Sequence, residues 1–420
     1  MKISMIGTGY VGLVTGLCFC ELGDDVVCID IIDEKVDMVN AGNPPIFEKG
    51  LEELLRKHLA EGRFRASAEY DEVLQTDITF ICVGTPTYED GSLDLRYVKD
   101  AADDLGTLLR RKRTRHTVVV KSTVPPTTTE QFVAPILQKR SGKKVGKTIG
   151  LAMNPEFLRE GSAIEDFLNP DRIIIGASDP KSMQVVRSLY ESFDCPIIEV
   201  TPTTAEMIKV ANNAALATRI SMINEIGNVC KALGIDVRDV AKGIGMDARI
   251  GPAFLKAGAG FGGSCFPKDV KCFIAQAKHL GLEPWVMQSV IDVNEAQPLR
   301  LIALLEKHLK LRGKTIAVLG LAFKPETDDV RESRSFPVIE LLLRKGAGVK
   351  VHDPKAMANF KQFMPDIHYS ESAKACVRGA DAVLIMTEWP EYADPKLYGD
   401  KLVIDGRGVV KTKNYEGICW

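Results

Sequence analysis

The sequence lacks the features that would place it in a membrane or on a nucleic acid. Its 420 residues contain no run of roughly eighteen apolar residues, so no transmembrane helix is predicted. Residues 1–7 are typical of a strand entering a glycine turn, without the apolar stretch and cleavage site of a signal peptide. The formal net charge is only −2, so we expect neither nucleic acid nor a membrane surface as a partner.

Metal-binding patterns are also missing. The 10 cysteines include no Cys-x-x-Cys pair and the 6 histidines are scattered, so no metal site is expected. Most of the cysteines lie inside apolar runs, as in Val27-Cys28-Ile29, which is typical of buried free thiols. The absence of a disulfide pattern favours the reducing cytoplasm as the compartment.

A dinucleotide-binding pattern occupies the first thirty or so residues. A strand at residues 2–6 leads into Gly7-Thr8-Gly9-Tyr10-Val11-Gly12, which opens a helix, and a second strand ends at Asp30. The first glycine permits the tight turn, the second lets the backbone approach a pyrophosphate, and the third lets the helix pack on the strand. Asp30 can accept a hydrogen bond from a ribose hydroxyl, which favours NAD over NADP. Lys35 is near enough in sequence to meet a 2′-phosphate instead.

Further strands extend the pattern along the N-terminal half. Apolar segments at residues 77–83 and 117–121 end in turns that carry Thr85 and Thr123. Ligands of doubly wound sheets bind at the carboxyl ends of the strands, so both threonines are expected near a cofactor.

The rest of the chain predicts a long helix and a second sheet. Residues 203–233 repeat apolar side chains at helical spacing, over a length that suits a link between two domains and a dimer face. From residue 313 the strand pattern of the N-terminus begins again, but bulky residues replace the glycine motif, which argues against a second dinucleotide. We therefore predict an α/β fold with two Rossmann-like doubly wound domains, joined by a long central helix and a helical dimerisation region.

One cysteine differs from the others in its neighbours. Cys265 stands in Gly260-Phe261-Gly262-Gly263-Ser264-Cys265-Phe266-Pro267-Lys268-Asp269. A nearby cation or helix N-terminus favours the nucleophilic thiolate, and glycines let a substrate approach the backbone. Beside a hydride acceptor, such a thiol predicts an enzyme that carries an alcohol through a covalently held aldehyde to an acid.

Two pairs of polar residues are spaced one helical turn apart. The segment Asn154-Pro155-Glu156-Phe157-Leu158-Arg159-Glu160-Gly161 begins with a good N-cap and ends with a good helix stop, so it predicts a short helix. Glu156 and Glu160 would then share one face, either as functional carboxylates or as a solvated acidic surface. Lys209 and Asn213 have the same spacing on the long helix, where spacing alone favours a lysine that snorkels beside an apolar stripe.

A scattered set of cations has the chemistry to bind a diphosphate. Each is by itself a typical surface charge, but together they can neutralise two phosphates, and arginine forks suit bidentate contacts. The set consists of Arg249, Lys256, Lys324, Arg331 and Arg407.

These motifs together resemble those of a known enzyme family. They are residues 7–12, Val83-Gly84-Thr85-Pro86-Thr87, residues 154–161, Arg249-Ile250-Gly251, residues 260–269, the span from Phe323-Lys324 to Arg331-Glu332-Ser333, and Asp405-Gly406-Arg407. Over its whole length the chain resembles the nucleotide-sugar 6-dehydrogenases of the UDP-glucose/GDP-mannose dehydrogenase family, and most closely their UDP-glucose branch. It departs at Phe47 and Lys49, where the family usually has Tyr and Pro, which affects a cofactor-side loop.

The resemblance implies a reaction and a domain plan. UDP-glucose would be oxidised to UDP-glucuronate with two NAD⁺ consumed, through a thiohemiacetal and a thioester on Cys265. Residues 1–199 would form an NAD-binding Rossmann domain, residues 200–298 a central helical dimerisation domain, and residues 299–420 a UDP-sugar-binding Rossmann-like domain. The enzyme would be a homodimer.

Taken residue by residue, the resemblance implies which positions form the site and what each of them does. The catalytic positions are Cys265 as nucleophile, Lys209, Asn213 and Asp269 as acid/base and oxyanion-stabilising groups, and Glu156 and Thr123 at the catalytic water. The cofactor-binding positions are Gly7, Gly9, Tyr10, Val11, Gly12, Asp30, Lys35, Thr85, Thr123, Glu160, Lys268 and Arg331. The substrate-binding positions are Glu156, Phe157, Leu158, Lys209, Asn213, Arg249, Phe254, Leu255, Lys256, Gly262, Phe323, Lys324 and Arg407.

Three alternatives stay open. GDP-mannose 6-dehydrogenase has the same chemistry, but residues 245–251 and Phe266 look more like the UDP-glucose branch. The UDP-N-acetylhexosamine branch usually carries a histidine where this chain has Ser264. A non-catalytic NAD or nucleotide-sugar sensor belongs to a different class, and the intact Cys265, Lys209 and Asp269 argue against it.

Overall fold

The chain folds into two compact units, each with its own sheet. The computed structural model describes all of residues 1–420. The units are Met1–Ala211 and Asn212–Trp420, and both sheets are parallel or nearly so. This confirms the predicted α/β class with two doubly wound domains, while the three-domain boundaries stay a prediction. No helix combines the length and the apolar character that crossing a bilayer would need.

The first unit contains an eight-stranded sheet. Its strands are β1 Lys2–Ile6, β2 Asp25–Ile29, β3 Phe64–Ser67, β4 Ile78–Ile81, β5 His116–Val120, β6 Ile149–Met153, β7 Ile173–Ala177 and β8 Ile197–Val200. Their order is β3-β2-β1-β4-β5-β6-β7-β8, and only the β6–β7 pair is antiparallel. Six strands thus follow the 3-2-1-4-5-6 order of dinucleotide-binding folds, in which ligands bind where β1 and β4 diverge.

Helices cover both faces of this sheet. They are α1 Tyr10–Glu21, α2 Asp33–Asn40, α3 Leu51–Ala60, α4 Arg96–Leu109, α5 Ala134–Ser141, α6 Ala163–Leu168 and α7 Pro180–Ser188. One core packs around Phe19 and Phe80, and the other packs around Leu105 and Leu137. Because both faces are buried, the central strands are almost wholly apolar, which is why the sequence shows them as short apolar runs.

A 32-residue helix, α8 Pro202–Leu233, follows β8. It confirms the helix predicted over residues 203–233 and starts one residue earlier, at a proline that suits the first helical position. The boundary between the compact units falls inside this helix, after Ala211.

The second unit begins with helices and then forms a six-stranded parallel sheet. Its helices are α9 Val237–Gly245, α10 Phe266–His279, α11 Trp285–Ala296, α12 Leu299–Glu306, α13 Ser335–Arg344, α14 Met357–Lys361 and α15 Ala373–Val377. Its strands are β9 Thr315–Leu319, β10 Gly348–His352, β11 His368–Tyr369, β12 Ala382–Ile385, β13 Leu402–Asp405 and β14 Tyr415–Gly417. The order β11-β10-β9-β12-β13-β14 repeats the topology of the first unit, as the sequence repeat predicts.

A buried carboxylate closes the first turn of the second sheet. Asp353 directly follows β10, as Asp30 follows β2, and it has no exposed surface. Its two oxygens accept hydrogen bonds from five donors. These are the amides of Leu321 (2.7 Å), Ala322 (3.0 Å), Lys355 (2.9 Å) and Ala356 (2.9 Å) and the indole Nε1 of Trp389 (3.1 Å). Both carboxylate oxygens are therefore used to hold the turn after β9.

We expect Asp353→Ala to lower the free energy of unfolding by about 3–5 kcal/mol, because five donors lose their acceptor. Chemical denaturation followed by fluorescence and circular dichroism measures this loss. The matched control is Asp366→Ala, since Asp366 is exposed, and it should change the stability by less than about 0.5 kcal/mol. Equal effects of the two substitutions would contradict the role of Asp353.

Candidate active site

The glycine turn after β1 has the geometry of a phosphate-binding turn. Gly7 has φ +106° and its amide donates to Ile29 O at 2.7 Å, while a Cβ on Gly12 would strike the carbonyl oxygen of Gly7. Only glycine fits these two positions, because a side chain would strain the turn or clash with its backbone. A Cβ added at Gly9, in contrast, would meet nothing within 4 Å. This is open space beside the N-terminus of α1, where a pyrophosphate can approach.

Asp30 stands beside this turn, as the sequence predicts for a ribose acceptor. Its Oδ2 accepts from Thr8 N at 2.8 Å and from Thr8 Oγ1 at 2.5 Å, and its Oδ1 accepts from Ile32 N at 3.1 Å. These bonds fix the carboxylate at the carboxyl end of β2. Lys35 lies in the first turn of α2.

Tyr10 connects the turn to the segment that follows Glu160. Its hydroxyl donates to Glu48, and Glu48 also accepts from Gly161 N at 2.6 Å and Ala163 N at 2.9 Å. Glu48 is buried, and sequence reasoning does not single it out. In the sequence, only its position between Phe47 and Lys49, in the loop that departs from the family pattern, could have drawn attention to Glu48.

Thr85 and Thr123, which follow β4 and β5, lie next to each other, while their position near a cofactor stays a prediction. Thr85 Oγ1 donates to Thr123 O at 2.8 Å. The side chain of Thr85 is therefore held against the neighbouring turn at the carboxyl edge of the sheet.

The short helix predicted over residues 154–161 is wrong. Residues 154–159 are irregular, 160–161 form a turn, and α6 begins only at Ala163. Asn154 caps no helix, because its Oδ1, the atom that an N-cap uses, accepts from Lys121 Nζ and Tyr190 Oη, while its Nδ2 donates to Ile174 O at 2.8 Å. Glu156 Oε2 accepts from Leu158 N at 2.6 Å, a local bond that competes with helix formation. Glu156 and Glu160 therefore do not share a helix face.

Glu156 and Lys209 form a buried ion pair within the first unit. Lys209 Nζ donates to Glu156 Oε1 at 2.8 Å, and the side chains of Lys209 and Glu156 are 4% and 6% exposed, respectively. Phe157 adds a ring face 5.4 Å from Lys209 Nζ and also stacks against Arg172. Burial raises the pKa of Glu156, but the Lys209 ammonium, the Leu158 amide and the charge of Lys121 together lower it below its usual value. Glu156 is therefore ionised at neutral pH, and the snorkelling interpretation of Lys209 does not hold.

Cys265 lies at the N-terminus of α10 in the second unit. It is half-buried, forms no disulfide, and its carbonyl accepts from Asp269 N at 2.8 Å as the N-cap of the helix. Ser264 Oγ is 3.5 Å from Cys265 Sγ. Pro267 occupies the first turn, where a missing N–H costs nothing. The helix dipole at this end favours a negative charge, as a thiolate requires.

Asp269, on the first turn of α10, contacts two other predicted site residues, Asn213 and Lys268. It has no exposed surface, and its Oδ2 accepts from Asn213 Nδ2 at 2.6 Å. The Lys268 ammonium lies 3.2 Å from Asp269 Oδ1, yet that oxygen accepts no hydrogen bond of good geometry. A buried carboxylate oxygen thus retains acceptor capacity one helical turn beyond the thiol-bearing position.

The glycines before Cys265 allow another segment of the second unit to pack closely against them. A Cβ on Gly262 would strike the carbonyl oxygen of Glu332, and one on Gly263, which has φ +83°, would lie 2.7 Å from the ring of Phe323. The segment holding Phe323 and Arg331 therefore packs directly on the cysteine loop. Arg331 pairs with Asp329 at 2.6 Å. Lys324 Nζ is 5.7 Å from the Phe323 ring centroid.

The loop after α9 carries several predicted substrate positions. Arg249 is exposed and pairs with Asp247 at 2.6 Å, and Phe254 has φ +61°, which is strained for a bulky residue. Arg219 on α8 holds this loop, donating to Ile250 O, Gly251 O and Ala253 O at 2.8 Å each. Sequence reasoning missed Arg219, because nothing local signals a side chain whose partners lie about thirty residues away.

A pocket of about 300 Å³ opens beside this loop. Leu255, Lys256 and Arg407 line it together with Arg238 and Trp420. Arg407 donates to Met386 O at 2.8 Å and to Gly260 O at 3.1 Å, and Lys256 Nζ lies 3.4 Å from Glu388. Of the five predicted cations, the structure therefore places Lys256 and Arg407 at one apolar pocket, a setting that suits an aromatic ring joined to an anion.

Comparison with known proteins covers almost the whole chain. Residues 1–194 match the UDP-glucose/GDP-mannose dehydrogenase family, NAD binding domain. Residues 203–296 match the central domain of that family, and residues 317–412 match its UDP binding domain.

Individual relatives agree with the family match. The chain is 45% identical to UDP-glucose 6-dehydrogenase AglM of Haloferax volcanii, with 100% of both chains covered. It is 43% identical to UDP-glucose 6-dehydrogenase YwqF of Bacillus subtilis, covering 97% of this chain and 93% of that one. The solved structure of a UDP-glucose dehydrogenase from the archaeon Pyrobaculum islandicum is 46% identical, with a TM-score of 0.96 over 100% of this chain and 98% of that chain.

We expect Arg219→Ala to speed amide hydrogen exchange in residues 250–254 by roughly 10–100-fold, because three net-favourable hydrogen bonds to the loop are lost. Exchange followed by mass spectrometry measures this local opening. Arg187→Ala is the control, since Arg187 forms an exposed pair with Glu199 and should leave the loop unchanged. Unaltered exchange in Arg219→Ala would show that the loop is held by other contacts.

Proposed function

This chain belongs to the UDP-glucose/GDP-mannose dehydrogenase family, and we propose that it oxidises the C6 alcohol of UDP-glucose to the acid of UDP-glucuronate. It is an NAD-dependent oxidoreductase of the UDP-glucose 6-dehydrogenase type. The observation that carries the proposal is the half-buried Cys265 at the N-terminus of α10, with the buried Asp269 one turn further on. A simple alcohol dehydrogenase has no use for such a thiol, whereas a four-electron oxidation can use it to hold the aldehyde covalently.

The cofactor site fits NAD⁺. The open space at Gly9 suits the pyrophosphate, and the fixed carboxylate of Asp30 suits a ribose hydroxyl. When bound, NAD⁺ accepts one hydride in each of the two oxidations. The further proposed contacts are Tyr10, Val11, Lys35, Thr85, Thr123, Glu160, Lys268 and Arg331.

Cys265 holds the substrate between the two oxidations. An aldehyde cannot readily lose a hydride, because an acyl cation would remain. Attack of Cys265 Sγ on C6 forms a C–S bond and a tetrahedral thiohemiacetal, whose oxygen re-forms the carbonyl as the second hydride leaves. Water then adds to the resulting thioester, the C–S bond breaks, and the thiol and the carboxylic acid are released.

Charged and polar side chains handle the protons and the oxyanions. In the second unit, Asp269 accepts a proton through its unsatisfied oxygen, and Asn213 keeps that carboxylate oriented. In the first unit, the Lys209 ammonium stabilises the oxyanions of both tetrahedral stages. Glu156, which is ionised, accepts a proton from the hydrolytic water, which Thr123 helps to orient.

Cations recognise the diphosphate and apolar groups recognise the base. Lys256 and Arg407 stand at the pocket beside Leu255, and Phe254 and Phe323 flank the cysteine loop. Arg249 and Lys324 supply further positive charge. Phe157, Leu158 and Gly262 complete the proposed substrate positions.

We further propose that the enzyme works as a homodimer in the cytoplasm. The C-terminal part of α8 leaves Met222, Val229 and Leu233 exposed, which suits burial against a second copy. Light scattering after gel filtration measures the mass directly, and a monomeric mass at working concentration would refute the dimer.

The stoichiometry of NADH tests the reaction. With limiting UDP-glucose and excess NAD⁺, we expect two NADH per sugar, because both oxidations occur on one enzyme. A panel that includes GDP-mannose and a UDP-N-acetylhexosamine tests the sugar choice. Turnover of GDP-mannose alone would establish the GDP-mannose branch, and binding without NADH from any sugar would favour the sensor.

Cys265→Ser should abolish UDP-glucuronate formation, with a fall in rate of at least about 10³-fold, because an alcohol does not replace the thiolate as nucleophile. UDP-glucose binding, measured by calorimetry, should be kept. Cys195→Ser is the matched control, since Cys195 is also half-buried and forms no disulfide. Normal two-NADH turnover by Cys265→Ser would overturn the covalent mechanism.

A further inference from the structure

Lys121 is a buried lysine that the mechanism above does not use. It directly follows β5 and is 3% exposed. Its Nζ donates to Asn154 Oδ1 at 3.0 Å and lies 3.4 Å from Asn154 O. Burying a lysine that completely is unfavourable unless its charge acts on a partner.

The hydrogen-bond partner of Lys121, Asn154, lies two residues before Glu156. Asn154 Oδ1 also accepts from Tyr190 Oη at 2.6 Å, and Asn154 N donates to Val120 O at 2.9 Å. Asn154 is therefore fixed by β5, by Tyr190 and by Lys121. The irregular segment that places Glu156 starts at this anchor, two residues before the carboxylate.

The charges around Lys121 also involve Glu156. The titratable groups that surround it are Cys82 at the end of β4, Glu156, Lys209 on α8, and Tyr190 through Asn154. Burial lowers the pKa of Lys121 to about 8, and burial raises the pKa values of Cys82, to about 12, and of Tyr190. At neutral pH Cys82 and Tyr190 are thus uncharged, so Glu156 is one carboxylate acted on by two ammonium groups.

We propose that Lys121 is a positioning residue for Glu156: it anchors the segment at Asn154 and supplies a second positive charge that keeps the carboxylate ionised beside Lys209. This inference rests on the proposed function, in which ionised Glu156 serves the hydrolytic water. Lys209 makes the direct contact, and Lys121 maintains the charge state and position of the pair. With two ammonium groups and one carboxylate, the cluster of Lys121, Lys209 and Glu156 carries a net positive charge at neutral pH.

Substitution of Lys121 by Met and by Arg separates charge from packing. Lys121→Met keeps the length of the side chain and removes the charge and the hydrogen bonds. We expect kcat to fall by roughly tenfold or more, with little change in KM for NAD⁺. The acid limb of the kcat profile should move up by about one pH unit, because loss of a nearby cation raises the pKa of a carboxylate. Lys121→Arg keeps the charge, so its acid limb should stay at the wild-type position.

Tyr190→Phe is the matched structural control. It removes the phenol bond to Asn154 but leaves the aromatic cluster with Phe19 and Phe193 and the Lys121 charge in place. Some loss of kcat is expected without a shift of the acid limb.

The outcomes separate this inference from the proposed function. If the pH profile of kcat for Lys121→Met has its acid limb at the wild-type position, the inference is overturned. It is also overturned if the acid limb of Lys121→Arg shifts as far as that of Lys121→Met. If Lys121→Met does not fold, a shifted acid limb in Lys121→Arg still overturns it. Failure of the wild-type enzyme to form two NADH from UDP-glucose would instead refute the proposed function.

Discussion

In the first unit, the path of the irregular segment at residues 154–161 depends on one buried carboxylate, Glu156, which forms an ion pair with Lys209. Its ion pair with Lys209 is 2.8 Å long and almost completely excluded from water. Removing one member of such a pair typically costs about 3–5 kcal/mol, because the other charge is left buried alone. The pair therefore links an irregular segment to α8 and holds that segment at Glu156, near its start.

Buried carboxylates also fix irregular segments elsewhere in the chain. Glu48 holds the segment before α6, Asp30 holds the glycine turn, and Asp353 holds the first turn of the second sheet. Each accepts backbone amides that no helix or strand would satisfy. Since an unmade buried hydrogen bond costs more than a made one contributes, these acids decide the paths of the loops at the carboxyl ends of the strands.

The second unit arranges its chemistry on a regular element. Cys265 is the N-cap of α10 and Asp269 lies in the first turn, and the hydrogen bond from Asp269 N to Cys265 O sets their separation. The glycines before Cys265 then let the Phe323 and Glu332 segment pack against that turn without room for side chains. The helix and the packed glycine loop together set the position of the thiol.

The sequence by itself determined what depends on neighbours along the chain. The glycine turn with Asp30, the apolar strands and the periodicity of α8 are local patterns that each predict an element, and the cysteine motif is a local pattern that predicts a nucleophile. The path of residues 154–161 was decided only by tertiary structure. Asn154 and Gly161 favour a helix there, but Asn154 bonds to Ile174, Gly161 to Glu48 and Glu156 to Lys209, and these tertiary contacts keep the segment irregular. The same holds for Lys121, Glu48 and Arg219, whose importance comes from partners distant in sequence. No local pattern records such partners, because burial and charge pairing exist only once the chain has folded.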